Sequence, residues 1–396
     1  MRKSIRYLFF ITIALVFSGL LLAGPSIAGP KEIPYGAIIP LSGPAAPWGI
    51  LVQSATNVVL DQINAAGGIT VNGKKYIWKL AAYDSAMDPS QAITAMNRLI
   101  HRDKCKFGLV LGNDCTMATQ PISEPNKFIQ IGLNVPSKSI MNPKNPYTFN
   151  YGMDALTDLI LYPWVEKNMS HIKNVALLHD DTANGHATAA LARAGIEKTG
   201  LTIIFDEYAD PATSDFYPVL TRLLAKKPDF LACANWDPAT GAHLLRQARE
   251  LGFKGSMHLV TPDIATLKEV AGWENCEGIF LDPYVEKPNL AMNTLKEEYI
   301  KRYGEKEWPG PVAYTLIDYP YWLKEAIEAT QSFDTATMIK YLATAETKSI
   351  WGEPAFMGGT SLFGIARNPV YPVWMGQVQK GKVVQVISGY VSKDLK

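Results

Sequence analysis

An α/β fold built twice is what the sequence predicts, and three observations predict it. Strand-like and helix-like runs alternate through the first two thirds of the chain; the series restarts after Pro146-Tyr-Thr-Phe-Asn-Tyr-Gly152; and the mature length, about 370 residues, exceeds what one hydrophobic core normally supports. Alternation of this kind gives mostly parallel sheets covered on both faces.

The first strand is expected at Tyr35–Ile39. It runs into Ile39-Pro-Leu-Ser-Gly-Pro-Ala-Ala-Pro-Trp-Gly49, a glycine and proline loop carrying one large aromatic, Trp48. Loops at the carboxyl end of a strand are where open α/β proteins hold ligands, because backbone amides point into the crevice there. A helix over Gly49–Ala65 follows, with Leu51, Ala55, Val58, Val59 and Ile63 on one stripe and Gly67-Gly68 as its stop. The first series continues with a strand at Lys75–Asp84, a helix at Pro89–His101, a strand at Phe107–Leu111, a helix at Met117–Asn126 and a strand at Phe128–Leu133.

The second series reads as helix Leu156–Asn168, strand Asn174–His179, helix Ala187–Thr199, strand Thr202–Asp206, helix Phe216–Lys226, strand Asp229–Asn235, helix Ala239–Leu251 and strand Ser256–Val260. Gly200 and Gly252 stand where helices must stop, and Ser214 and Asp215 offer an N-cap. After Ile279-Phe-Leu-Asp-Pro-Tyr284 the texture changes to helices at Asn289–Arg302, Ala313–Ala329 and near Thr335–Ala345. Val373–Ile387 forms two alternating runs around Lys380-Gly381, which reads as a hairpin.

The amino terminus sets the expected compartment. Arg2, Lys3 and Arg6 precede an apolar run from Tyr7 to Leu22, then Ser26-Ile-Ala28, the pattern of a cleaved secretory signal over residues 1–28. The run is too short for a membrane span, and it has no cysteine at its end, so export to the periplasm without a lipid anchor is expected. Cleavage removes three of 38 basic residues and none of 37 acidic ones, leaving a net charge of −2 with histidines neutral. That balance argues against nucleic acid or an anionic membrane as partner.

Cys105, Cys115, Cys233 and Cys276 are even in number. Cys105 and Cys115 flank the strand-like Phe107–Leu111, and an extended strand separates its ends far beyond the roughly 7 Å a disulfide allows. Unpaired thiols are therefore expected, with a Cys233–Cys276 bridge left open. No nucleophile elbow, P-loop, dinucleotide fingerprint or Cys-x-x-Cys occurs, and the six histidines show no metal spacing. A non-enzyme with no cofactor and no metal is expected.

The chain resembles the periplasmic branched-chain amino acid (Leu/Ile/Val)-type binding proteins of ABC importers, type I substrate-binding proteins. The resemblance rests on Leu41-Ser-Gly-Pro44, Ile63-Asn-Ala-Ala-Gly-Gly-Ile69, Tyr83-Asp-Ser-Ala-Met-Asp-Pro-Ser-Gln-Ala92, Thr119-Gln-Pro121, His179-Asp180 and Leu244-Leu-Arg-Gln-Ala-Arg-Glu-Leu-Gly252, in that order. It implies two Rossmann-like lobes joined by three hinge crossovers, near Tyr151, Tyr284 and Asn368. Residues 29–151 with 284–368 would form the amino-terminal lobe, and 152–283 with 369–396 the carboxy-terminal lobe.

The same resemblance implies the site. Thr116 would supply a hydroxyl to a ligand carboxylate at a helix start, where amides and dipole favour an anion. Ser137, and less well Asn134, matches a second polar cluster; Asn184 and Trp236 stand where the family carries tyrosines; and Asp263 stands where it carries the acid facing an ammonium. Trp48 and Trp236 would face each other across the cleft and bury an apolar or aromatic group. Met87 replaces the family's disulfide partner to Cys115.

The expected function is a monomeric solute-binding protein that closes on an amino acid or analogue with an apolar or aromatic side chain and delivers it to ABC permease subunits. The alternatives are an aromatic or other amine-free carboxylate as ligand, or a ligand-sensing subunit of a membrane receptor.

Overall fold

The computed structural model describes residues 29–390 apart from 44, 152–153, 235, 261–263, 353 and 371. The signal-like segment and Asp263 therefore lie outside the described residues. Among the described residues, no helix is long and apolar enough to cross a membrane.

Two large sheets organise the chain. The first comprises β1 (Lys31–Ile39), β2 (Ile69–Val71), β3 (Lys74–Asp84), β4 (Phe107–Leu111), β5 (Ile129–Leu133) and β6 (Thr148–Asn150), in the order β2-β3-β1-β4-β5-β6. All neighbours pair in parallel except β2 with β3. That antiparallel pair is a hairpin missing from the sequence reading. Asn72 (φ 47°) and Gly73 (φ 73°) form its two-residue loop, and both positive values suit the twist of the flanking strands.

Helix α1 (Ala46–Ala65) covers this sheet and starts three residues earlier than expected, so Trp48 lies in its first turn and not in a loop. Its end is a Schellman stop: Gly68 N–H donates to Ile63 O at 2.9 Å and Gly67 N–H to Asn64 O at 3.1 Å. Helices α2 (Pro89–Asn97) and α3 (Asn113–Ser123) complete the first series.

The second sheet comprises β7 (Asn174–Asp180), β8 (Thr202–Ala209), β9 (Phe230–Ala232), β10 (Ser256–Val260), β11 (Ile279–Asp282), β15 (Pro372–Gln379) and β16 (Lys382–Tyr390). Its order is β16-β15-β11-β10-β9-β7-β8, parallel from β11 to β8, with the terminal hairpin added antiparallel along β11. Helices α4 (Asp158–Asn168), α5 (Ala183–Ile196), α6 (Tyr217–Leu224) and α7 (Pro238–Glu250) lie between its strands in sequence. A small sheet of β12 (Glu346–Thr347), β13 (Ala355–Gly358) and β14 (Asn368–Val370) follows helices α8 (Leu290–Tyr303), α9 (Asp318–Thr330) and α10 (Thr335–Leu342).

Those late helices do not form a third core. Met292, Leu295, Tyr299, Trp322, Leu323 and Ile327 pack in one cluster with Tyr35, Val59, Ile63 and Phe107 of the first series. The chain therefore passes between the two large bodies after β6, after β11 and after β14. Trp351, in the first-lobe core, stacks on Trp374 of β15 with ring centroids 4.8 Å apart and planes at 22°. All four cysteines are free and buried, so no Cys233–Cys276 bridge forms. Burial pushes the Cys105 thiol up to about 12 and those of Cys115 and Cys276 up to about 11.

Polar bonds stitch the crossings together. Asn150, closing β6, donates through Nδ2 to Asn368 Oδ1 of β14 at 3.1 Å. Thr157, entering α4, donates its hydroxyl to Asp282 Oδ2 at 2.5 Å. Asp282 Oδ1 also lies 3.1 Å from His258 Nε2, and His258 Nδ1 lies 3.1 Å from Asp158 Oδ1. His258, Asp158 and Asp282 are all essentially without solvent contact. Burial opposes a charge on the His258 ring, but Asp282 and Asp158 together outweigh it and raise its pKa to about 10.

A histidine raised above its ordinary value of about 6.5 lends stability that is complete below that value and lost as pH climbs through the folded-state value. Chemical denaturation at pH 7 should show His258→Gln less stable than wild type by about 3–5 kcal/mol, since the buried Asp158 and Asp282 side chains lose the ring that links them. The gap should narrow progressively as pH rises above about 6.5 and have lost this contribution above about 10, where the native ring itself discharges. A gap independent of pH would contradict the protonated ring.

Candidate functional site

The carboxyl ends of β1, β3 and β4 carry three linked turns. Asp84, ending β3, accepts from Leu41 N–H at 2.7 Å and Ala86 N–H at 2.8 Å, and its bond from Ser42 holds its carboxyl below the usual range. The Ser42–Gly43 loop is thereby fixed to the start of the next turn, where Asp88 caps α2 by accepting from Gln91 N–H at 2.8 Å. At the start of α1, a Cβ on Gly49 would stand 1.6 Å from Pro40 O, so only glycine lets the helix seat this closely. Half-buried Trp48 is held at that junction.

At β4 the chain turns at once into α3. Gly112 makes the turn with φ 95°, and a Cβ there would meet the Met87 side chain. The helix starts at Asn113, four residues before the expected Met117. Thr116 is therefore inside the first turn and not at the cap: its N–H bonds to Gly112 O at 2.9 Å, and the residue is 0% exposed. Its hydroxyl accepts from Asn134 Nδ2 at 2.8 Å. The hydroxyl is bonded to a neighbour within the first lobe, and the helix start at Asn113 corrects the expected cap position.

Asn113, which the sequence alone does not single out, organises the turn. Its side chain bonds Val135 in both directions, Nδ2 to the carbonyl and Oδ1 from the N–H, each at 3.1 Å. Its own backbone N–H, one of the first-turn donors that a helix leaves without an internal partner, donates to Asn184 Oδ1 at 3.0 Å. Gly112-Asn113-Asp114 directly after a buried strand was the available signal.

Asn184 lies in the first turn of α5 in the second lobe. The turn is capped by Thr182, whose hydroxyl accepts from Gly185 N–H at 3.1 Å and donates to Asp180 Oδ1 at 3.0 Å. Gly185 sits so near β7 that a Cβ would lie 2.1 Å from Asp180 O. His179, just before, is fully buried with neither ring nitrogen partnered among the described residues, and burial lowers its pKa to about 3.

Thr116, Asn134 and Asn184 are thus gathered around one turn of α3. Ser137 stands apart, half-buried, with its Oγ 2.8 Å from Ser139 Oγ. Trp236 is also elsewhere: it belongs to the second-lobe core, edge-on to Phe216 at 5.1 Å, with its indole N–H on Leu178 O at 3.1 Å. Its ring edge and N–H are thus both engaged inside its own lobe. Beside the seam, Leu156, Leu159 and Leu191 of the second lobe pack with Val135 and Leu362.

Asn113→Ala should cost about 1–3 kcal/mol in urea denaturation, because both backbone groups of Val135 lose their partner. Asn113→Asp should not recover that loss, since its second oxygen would face the Val135 carbonyl acceptor at a buried position.

A family model described as "Periplasmic binding protein" matches residues 32–382. The chain is 26% identical over 349 residues to the Leu/Ile/Val-binding protein of Escherichia coli K12, covering 86% of this chain and 89% of that one. It is 29% identical over 326 residues to Leu/Ile/Val-binding protein homolog 3 of Brucella melitensis, covering 80% and 84%. Among solved structures, an ABC transporter substrate-binding protein from Sphaerobacter thermophilus superposes with a TM-score of 0.78 at 21% identity, over 92% of this chain and all of the other.

Proposed function

Because the chain belongs to the periplasmic binding protein family, we propose that it is the substrate-binding component of an ABC importer, taking an amino acid or close analogue with an apolar or aromatic side chain between its lobes. It hands that ligand to the permease subunits and performs no reaction on it.

The observation that supports this reading most is the Asn113 N–H at the amino terminus of α3, which points to an acceptor on the opposite lobe. Such a donor at the positive end of a helix suits a carboxylate. Beside it, the buried Asn134 Oδ1 has no partner among the described residues, an acceptor suited to an ammonium hydrogen. Asp263 is the proposed charged partner of that ammonium, and Trp48 the proposed apolar contact. The amino-terminal 28 residues are proposed to be removed on export.

A thermal-shift panel of leucine, isoleucine, valine, phenylalanine and benzoate tests the ligand class. An amino acid at a hundred times its Kd should add about 2.7 kcal/mol of stability, and Asp263→Ala should weaken it at least about tenfold. Response to benzoate alone would replace the amino acid by an amine-free acid, and unchanged affinity in Asp263→Ala would remove that residue's role. N-terminal sequencing of periplasmic protein should begin at Gly29.

A further inference from the structure

Asn184 bonds the opposite lobe at a position suited to a carboxylate oxygen, and we propose that it is an interlobe latch that competes with the ligand's carboxylate for the Asn113 amide. The inference rests on the proposed carboxylate ligand only for the competition; the latch itself is a contact between the two lobes.

Both ends of the latch are fixed before they meet. Asn113 is 1% exposed and clamped to Val135 through both side-chain atoms, so its N–H has one direction. The backbone of Asn184 is held by the Thr182 cap on the neighbouring Gly185 N–H and by Thr188, whose hydroxyl donates to Asn184 O at 3.1 Å, which fixes where its side chain starts. The bond between them, 3.0 Å long, joins the start of α3, which follows β4 of the first sheet, to the start of α5, which follows β7 of the second. It closes the edge of an apolar seam in which Leu156, Leu159 and Leu191 meet Val135 and Leu362.

A second polar atom at the same turn points to a ligand independently. Asn134 is 6% exposed; its Nδ2 is committed to Thr116 Oγ1, and its Oδ1 is buried without a partner among the described residues. A group that brings a donor to Asn134 and a carboxylate to Asn113 satisfies what Asn184 alone leaves open. The exchange runs in the ligand's favour because a carboxylate is a stronger acceptor than an amide oxygen and interacts with the helix terminus as a charge. The latch thus holds the lobes together until a ligand supplies the better oxygen, and it subtracts from the affinity of every acid that must displace it.

Amide hydrogen exchange at Asn113 tests the latch without any ligand. In Asn184→Ala that amide should exchange about five- to tenfold faster than in wild type, and small-angle scattering should show a larger radius of gyration. Asn184→Asp gives the opposite sign: a charged acceptor should slow exchange at Asn113 and weaken L-leucine or benzoate about tenfold at pH 7, with affinity recovering as the introduced carboxyl is protonated. Unchanged exchange at Asn113 in both variants, with both folded by circular dichroism, overturns the latch. Binding of neither probe to wild type would overturn the proposed ligand class, while the exchange and scattering results would still decide the latch.

Discussion

Two crossings of the chain meet at one buried ion cluster, and the rest of the architecture depends on how that cluster is held. Asp158 stands where the chain has just entered the second lobe, and Asp282 where it is about to leave. His258, in the strand beside β11, lies 3.1 Å from each carboxylate. Burial raises the Asp158 pKa, and the His258 ring between the two carboxyl groups, raised in turn by both of them, ties the two segments together. Thr157 adds a neutral bond across the same pair of segments, and Asn150 with Asn368 does the same for the first and third crossings. Swinging one lobe on the other therefore leaves these connections as the fixed points about which the strand ends approach each other.

What approaches is set by the parallel sheets. Parallel strands in a row place all their carboxyl ends on one edge, and a short turn there starts the next helix with its free amides on that edge. In the first lobe the turn at Gly112 does this with no intervening loop, so the donor of Asn113 emerges beside the core. In the second lobe Gly185 brings α5 down onto β7 just as tightly. Gly112 is required by its positive φ and Gly185 by the close approach of the Asp180 backbone, which is why the two helix starts can meet across the seam at hydrogen-bond distance.

Much of this was legible from residues alone, and the parts that were not share a cause. The βα alternation, the Gly67-Gly68 stop and the hairpin around Lys380-Gly381 depend on local chemistry, and local chemistry is written in adjacent letters. Thr116 and Asn134 were each singled out separately, and they prove to share a 2.8 Å bond. The start of α3 was misplaced because Asn113 and Asp114 suit a loop as well as a cap, and only the positive φ of Gly112 decides between them. Trp236 reads as a wall only because it stands where the family carries a tyrosine; its burial against Phe216, from a different helix region, is a contact that no spacing rule announces. The Asp158, His258 and Asp282 cluster was invisible for the same reason, being assembled from three segments distant in sequence.

The stacked pair Trp351 and Trp374 has an optical consequence. Their indoles lie nearly parallel at 4.8 Å, one in the first-lobe core and the other on the second sheet. Two chromophores so close share their excitation, and the sign and strength of that sharing follow the angle between them. A rotation of one lobe against the other is therefore written into the near-ultraviolet dichroism of the native chain, which carries its own goniometer at the hinge.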